Sequence, residues 1–315
     1  MSGAPFAIKA GGFIKGAGHG HPFKDRYGND WYVATIVVAS KEHYERRVGI
    51  FPAFYKDGYA HAITEYMDFP FILPDKKVDF SQHDVSAGMN LLSYNKQMKA
   101  SSSLGVHQAK MATDEDIRTW WSAASGKRGE WLQMDLSKPM ELSALQISFS
   151  DEGFKTYRHD KNVPVYQYIV EGSLNGTDWQ LLADRSQNTK DQIYELIVLD
   201  KKIKTQFVRI KNTKDFATGY FSIADIRLFG NAKGKVPKQV SNFIVERNKD
   251  RRRIAFTWDK QPTAEGYVIR WGASPEHIDN AIMVYDNQAE FGFFDRNIAY
   301  YMLSLIHISE PTRPY

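Results

Sequence analysis

The chain has 315 residues, with 41 Lys and Arg against 37 Asp and Glu for a net charge of +4, and 43% of its residues are hydrophobic. At roughly 100 to 200 residues per domain this length predicts two or three domains with buried cores, and an aromatic content of 14% excludes a disordered chain. The absence of cysteine excludes disulfides and thiolate sites while leaving the compartment open, the near-balanced charge gives no nucleic-acid footprint, and no apolar run approaches the roughly 18 residues of a membrane span.

Met1 to Gly20 lacks the charged-then-apolar order of a secretory leader and leads within a few residues into Gly-rich turns, which reads as a start inside a domain. From there almost every periodic segment alternates with period two: Trp31/Val33/Thr35/Val37, Leu145/Ile147/Phe149, Tyr166/Tyr168/Val170, Phe207/Arg209 against Val208/Ile210, Ile254/Phe256/Trp258 and Tyr267/Ile269/Trp271. That is the strand pattern. Turn signals separate the runs, among them Tyr27-Gly28-Asn29-Asp30, Lys56-Asp57-Gly58, Leu174-Asn175-Gly176 and Ala264-Glu265-Gly266, and no helical pattern exceeds about three turns. The expected fold is all-β. Composition shifts after Phe71-Ile-Leu-Pro74 and at Gly230-Asn-Ala-Lys-Gly-Lys-Val-Pro237 predict three segments, residues 1–86, 87–231 and 236–302.

In the first segment, Gly16-Ala-Gly-His-Gly-His21, Asp25-Arg-Tyr-Gly-Asn-Asp-Trp-Tyr32 and Glu45-Arg-Arg-Val-Gly-Ile-Phe-Pro52 resemble the closing blades of the five-bladed propeller of family 43 glycoside hydrolases. The resemblance implies partial β-propeller blades. It also gives His19 the part of a channel histidine beneath the sugar that helps hold a metal ion or ordered water, with His21 as its substitute; a turn histidine is the other interpretation. Glycoside hydrolysis needs two carboxyl groups across the scissile bond, and in that family the Asp base, the second Asp and the Glu acid sit in earlier blades that this sequence does not encode. No catalytic residue is therefore assigned. Asp25, Asp30, Glu42, Glu45 and Asp57 are expected to be solvated or ion-paired.

The second segment carries Ala100-Ser-Ser-Ser103, Ala112-Thr-Asp-Glu-Asp-Ile-Arg-Thr-Trp-Trp-Ser122, Glu130-Trp-Leu-Gln-Met-Asp-Leu136, Glu171-Gly-Ser-Leu-Asn-Gly-Thr-Asp-Trp179, Phe207-Val-Arg-Ile210 and Ile223-Ala-Asp-Ile-Arg-Leu-Phe-Gly230. Six ordered motifs across the segment resemble a discoidin domain, the coagulation factor 5/8 C-terminal fold also found in family 32 carbohydrate-binding modules. The resemblance implies an eight-stranded jelly-roll β-sandwich that binds with loops at one end. It implies a structural Ca²⁺ held by oxygens of Asp114, Asp116 and Thr119 and closed by Asp225, which stands where the family usually has Glu; closely spaced oxygens suit a hard cation. An acidic turn satisfying backbone N–H groups is the competing account. By the same resemblance Trp121, Trp131 and Trp179 pack the core, whereas Trp120, Tyr157, Arg158, His159, Phe216 and Tyr220 supply the rings and hydrogen-bonding groups expected of a carbohydrate site.

In the third segment, Val240-Ser-Asn-Phe-Ile-Val245, Arg253-Ile-Ala-Phe-Thr-Trp258, Gly266-Tyr-Val-Ile-Arg-Trp-Gly272 and Tyr300-Tyr301 resemble a fibronectin type III module that ends before its last strand. The basic run Arg247-Asn-Lys-Asp-Arg-Arg-Arg253 is interrupted by Asp250 and reads as a solvated hairpin loop. Leu303-Ser-Leu-Ile-His-Ile-Ser-Glu-Pro-Thr-Arg-Pro-Tyr315 resembles the conceptual translation of a transposase sequencing adapter, so residues 303–315 are expected to lie outside the fold. Taken together the resemblances imply the C-terminal portion of a bacterial glycoside hydrolase of arabinosidase or xylosidase type, secreted, periplasmic or at the cell surface. The portion encoded here is expected to bind polysaccharide or glycan without cleaving it, with no nucleic-acid partner. A non-catalytic adhesion or scaffolding protein, whose discoidin domain binds host glycan, lipid or protein, is the rival expectation.

Overall fold

The computed structural model describes residues 13–39, 46–56, 58–64, 69–83, 85, 87–154, 164–231, 239–262, 264, 266–272, 275, 278, 280–292 and 294–307. Among the described residues nearly every regular element is a strand, as the period-two patterning requires. It divides into two compact units. One comprises residues 1–37, 47–89 and 233–315; the other comprises residues 38–46 and 90–232. No helix among the described residues is long and apolar enough to cross a membrane.

The N-terminal part of the first unit is a four-stranded sheet of β1 (Lys15–Lys24), β2 (Asp30–Val37), β3 (Arg46–Lys56) and β4 (Tyr59–Ala62), each strand beside the next, with β1–β2 and β3–β4 antiparallel. In β2 the buried phase is Tyr32, Ala34 and Ile36, with Trp31 at its start. This corrects the expected series Trp31/Val33/Thr35/Val37. Tyr32 faces Phe51, centroid to centroid 6.2 Å, and that contact selects the even-numbered face, since a one-residue change of phase would turn every side chain over. Trp31 is buried separately against Phe80, at 4.8 Å.

The second unit holds one eight-stranded sheet system built from β5 (Asn90–Leu91), β6 (Gln97–Ala100), β7 (Trp121–Ser122), β8 (Trp131–Phe149), β9 (Tyr168–Ser173), β10 (Gln180–Asp184), β11 (Tyr194–Asn212) and β12 (Ser222–Asn231). Two 19-residue strands, β8 and β11, make it a sandwich. Their pairing slips between Val198 and Ile203 and between Thr205 and Phe207, and Ser137 takes φ +68°. Each strand thereby bends and serves both layers. The first half of β8 pairs with β6 and the end of β11, while its second half pairs with β12. Between the layers lie Leu132, Met134, Leu136, Leu145, Ile147, Phe149, Tyr166, Tyr168, Val170, Val208, Ile210, Ile223 and Ile226, all buried. This is the expected jelly-roll sandwich.

Two of the three tryptophans expected in that core are not there. Trp121 is fully buried, but Trp131 is only half-buried, because β8 alternates and turns Leu132, Met134 and Leu136 inward instead. Trp179 is half-buried too, with the Arg209 guanidinium 3.8 Å over its ring. Arg209 also bonds Glu171 at 2.9 Å, so an indole beside a cation–carboxylate pair replaces core packing.

The C-terminal part of the first unit contains β13 (Ile244–Arg247), β14 (Ile254–Thr257), β15 (Gly266–Gly272), β16 (Asn280–Val284), β17 (Gln288–Phe291) and β18 (Tyr301–His307). They form two three-stranded sheets, β13-β14-β17 and β16-β15-β18. The two predicted alternating series bury as expected: Ile254, Phe256 and Trp258 from one sheet meet Tyr267, Ile269 and Trp271 from the other. The basic run lies in the β13–β14 hairpin. There Arg252 pairs with Asp250, Arg253 with Glu290, and Arg247 donates to three backbone carbonyls. Residues 303–307, expected outside the fold, pair with β15 as the continuation of β18; Leu, Ile and their neighbours there are strand-favouring whatever their origin. Residues 308–315 lie outside the described residues.

Candidate functional site

A set of polar and aromatic groups in the second unit stands at the loop end where β7 and the start of β12 meet. Trp120 immediately precedes β7, whose Trp121 and Ser122 pair with Ile223 and Ser222. Trp121 points into the core, its indole donating to the Ser102 carbonyl at 3.0 Å, so its neighbour Trp120 points the other way and is only half-buried. The Trp120 indole N–H donates to Glu152 Oε2 at 2.9 Å. One face of the indole is covered by His107, with centroids 4.4 Å apart and planes 18° from parallel. His107 Nε2 lies 3.8 Å from the same Glu152 oxygen, and the two side chains are 22% and 19% exposed.

His107 and Glu152 are both held through their backbone. His107 N–H donates to the Leu104 carbonyl and its carbonyl accepts from Ser122 N–H, which closes a tight turn with Gly105 at φ +53°. Glu152 N–H donates to Ser222 Oγ at 3.0 Å, and its carbonyl accepts from Tyr220 N–H at 2.9 Å. Next to it Asp151, at φ +57°, accepts the Tyr166 hydroxyl at 2.8 Å. Burial, then the charge of Asp151, pushes the Tyr166 phenol well above its usual range and keeps it a neutral donor.

Among the expected carbohydrate ligands, Trp120 and Tyr220 stand at this end. The Tyr220 ring packs over Gly153, where a Cβ would come within 2.7 Å of it, so Tyr220 presents only part of its ring. Phe216, half-buried, meets Phe154 at 5.1 Å and Tyr166 at 5.5 Å, both edge to face, and packs against the end of the core. Burying that ring against two others is worth more than leaving it in water. Tyr157, Arg158 and His159 lie outside the described residues. His107 and Glu152 were not foreseen from sequence. His107 is 13 residues from Trp120 in the chain, and no local pattern joins them.

The acidic loop lies beside β12. Thr119 Oγ1 is 2.9 and 2.8 Å from the two Asp114 oxygens and 3.0 Å from the Asp116 carbonyl, and Asp114 accepts Asp116 N–H at 3.0 Å. The Asp116 carboxylate turns away to Arg118, at 2.6 Å, so only its carbonyl faces Thr119. Asp225 is buried on β12; one oxygen accepts Glu115 N–H at 3.1 Å and the other has no partner. Glu115, at φ +59°, sends its carboxylate to Arg227 in a bidentate, fully buried pair at 2.7 and 3.0 Å, and Arg227 also donates to Gln146 at 3.0 Å. Burial raises the Asp225 carboxyl well above its ordinary range, Glu115 adds to this and Arg227 opposes it; burial also raises Asp114. Among the described residues no three His, Asp or Glu side chains converge on one point. Asp114, Thr119 and the Asp116 carbonyl thus form one turn of oxygens, and Asp225 is joined to that turn through Glu115 N–H.

In the first unit His19 and His21 are both exposed on β1, an edge strand, where pairing with β2 is irregular and His19 takes φ +56°. A Cβ at Gly20 would collide with the Tyr32 ring and the Val33 carbonyl, so this turn requires glycine there. Asp30 is ion-paired to Lys24 at 2.6 Å as expected. Asp25 is not: it accepts from Tyr27 N–H, Asn29 N–H, the Asn29 amide and the Trp31 indole at 2.8 to 3.0 Å. Glu42, Glu45 and Asp57 lie outside the described residues.

A model of the F5/8 type C domain family matches residues 97–226. No curated protein matches the chain. Among solved structures, the chain is similar to chitosan-binding module 1 of a chitosanase/glucanase from Paenibacillus sp. IK-5, at 21% identity and a TM-score of 0.37 over 45% of this chain and 99% of that one. It is similar to CpGH89CBM32-4 of Clostridium perfringens, solved with GlcNAc-α-1,4-galactose, at 21% identity and a TM-score of 0.38 over 47% of this chain and 99% of that one. It is also similar to the family 32 module of C. perfringens NanJ, solved with galactose, at 18% identity and a TM-score of 0.37 over 45% and 99%. Residues 97–226 are an F5/8 type C domain.

Proposed function

We propose that the discoidin-like unit binds carbohydrate at its loop end, through Trp120 with His107, Glu152 and the exposed part of Tyr220. The observation that carries this is the Trp120 indole, held at the rim with its N–H tied to Glu152 and one face backed by His107. A ring fixed at the surface stacks on the C–H face of a pyranose, while a neighbouring carboxylate accepts from its hydroxyls. The F5/8 type C match over residues 97–226 supports the same assignment.

A Ca²⁺ fits the neighbouring loop. The donors there are all oxygen, as a hard cation requires, and the partnerless buried oxygen of Asp225 is the kind of group a cation would satisfy. Asp114, Thr119, the Asp116 carbonyl and Asp225 would hold it. When bound, the ion supplies a structural cross-link between the loop and β12.

The wider protein is proposed to be a secreted, periplasmic or surface-attached bacterial glycoside hydrolase, of which this chain is a C-terminal portion that binds without cleaving. The sequence motifs of the first and third segments, and the strands they form on either side of the discoidin unit, support that order of modules. The binding claim is tested by running the full chain through native gels containing arabinoxylan, xylan or gastric mucin. Retardation in at least one gel is expected, without release of reducing sugar. Unretarded migration in all three contradicts it.

A further inference from the structure

The loop end also carries a ledge of cations. Asn212, fully buried at the end of β11, donates from its amide to the Lys127 carbonyl at 2.8 Å and to the Lys214 carbonyl at 2.7 Å. One side chain thus clamps the loop before β8 to the loop after β11. The same two loops are joined by Phe216 N–H to the Gly126 carbonyl, Arg128 N–H to Asp215 and Gly129 N–H to the Asn212 carbonyl, each at 2.9 Å. They lie so close that a Cβ on Gly126 would come within 2.6 Å of the Gly219 carbonyl oxygen. This backbone gathers Lys127, Arg128, Lys211 and Lys214 around Asn212. Lys127 and Arg128 are exposed and Lys211 is half-buried, and among the described residues none of these three has an ion-pair partner. Lys214 reaches the Val165 carbonyl at 3.4 Å and lies 5.9 Å over the Phe216 ring. The carboxylates of the two loops accept from other groups: Glu130 from the hydroxyls of Ser101, Ser102 and Ser125, and Asp215 from Arg128 N–H.

We infer that this ledge is the charge-reading part of the proposed carbohydrate site, and that the glycan it takes is a polysaccharide of uronic-acid units whose carboxylates meet these cations. The inference rests on the carbohydrate reading, since the loop between β11 and β12 carries both Lys214 and Tyr220. Lys and Arg hold carboxylates by charge-assisted hydrogen bonds, Arg through a planar fork. A clamped backbone leaves only side-chain freedom to be lost on binding. One carboxylate per sugar ring suits a few separate cations, whereas a net charge of only +4 argues against a densely charged polyanion such as nucleic acid.

The experiment titrates the full chain with polygalacturonate and with the same polymer fully methyl-esterified, which keeps sugar and linkage and removes the charge. Binding to the first is expected, about tenfold weaker binding to the second, and loss of the difference at about 1 M salt, where the screening length falls to about 3 Å. The double variant Lys127→Gln, Arg128→Gln alters two exposed side chains and should weaken polygalacturonate binding about three- to tenfold, the range of two surface ion pairs, with unchanged circular dichroism. Equal affinity for the two polymers, or a folded double variant that binds like wild type, overturns the inference. So does tighter binding of chondroitin sulfate or polyuridylate than of polygalacturonate. If the double variant does not fold, the comparison of the two polymers decides alone. Retention by arabinoxylan without binding to polygalacturonate overturns this inference and leaves the carbohydrate reading standing, whereas binding to no glycan at all overturns both.

Discussion

Asp25 shows how far residue type alone can mislead. A carboxylate in a turn reads as solvated, but this one gathers four donors and, through Asn29, ties the β1–β2 turn to Lys76 and Val78 at 3.0 and 2.7 Å. Burial would raise its pKa; the hydrogen bonds from Trp31, Asn29 and Tyr27 outweigh it and lower the group from 3.8 to about 2. A pKa depressed in the folded state gives stability that is present above the unfolded value and lost as pH falls. Melting curves should therefore show Asp25→Asn less stable than wild type at pH 5, with the difference shrinking between about pH 4 and pH 2. A constant difference across that window would contradict the assignment. Glu115 is the second such residue. Its pairing with Arg227 spans 112 positions in sequence, which no local pattern reveals. Glu115→Ala leaves a buried guanidinium without its carboxylate and is expected to cost about 3–5 kcal/mol in denaturant unfolding. A cost below about 1 kcal/mol would mean that Arg227 finds another partner.

At the level of strands and loops, period-two patterning located the elements well and their faces less well. Ile254/Phe256/Trp258 and Tyr267/Ile269/Trp271 were legible because each strand has one apolar face and one polar face. β2 was not, because Trp31-Tyr-Val-Ala-Thr-Ile-Val37 is apolar in both phases and only its contact with Phe51 chooses. The bends in β8 and β11 were equally hidden, since they arise from slips in pairing between distant strands. Loop connections have the same character. Glu130 collects the hydroxyls of Ser101, Ser102 and Ser125 and so ties two loops together, while sequence displayed only a serine run and a glutamate 27 to 29 residues later. The acidic loop is the element where local sequence said most: Asp114, Asp116 and Thr119 do share one turn. If it holds Ca²⁺ as proposed, chelation should lower the melting temperature of wild type, free calcium at about 100 times Kd should contribute about 2.7 kcal/mol, and Asp114→Ala should abolish the response. Identical melting with chelator and with millimolar calcium would remove the ion from the account.

Across the whole molecule, what sequence conveyed was the all-β class and the six ordered motifs of residues 87–231, both of which depend on local alternation and on spacing along the chain. The composition of the binding end was only partly legible. Trp120 stood out because it adjoins a core tryptophan, but its partners His107 and Glu152 come from loops 13 and 32 residues away and meet only in the folded domain. The Phe216 ring is held against Phe154 and Tyr166, contacts between segments 50 and more residues apart that no local pattern reveals. The proposed function therefore turns on one side chain whose loss should leave the sandwich intact, since Trp120 lies outside the core that Trp121 fills. The decisive measurement is native-gel affinity of the full chain and of Trp120→Ala on arabinoxylan, xylan and gastric mucin, with unchanged circular dichroism as the control. Retention of wild type with at least a tenfold loss in Trp120→Ala is the result this account predicts, a ring–sugar stack being worth about that much. Equal retention of the two proteins would place the carbohydrate site elsewhere and contradict it.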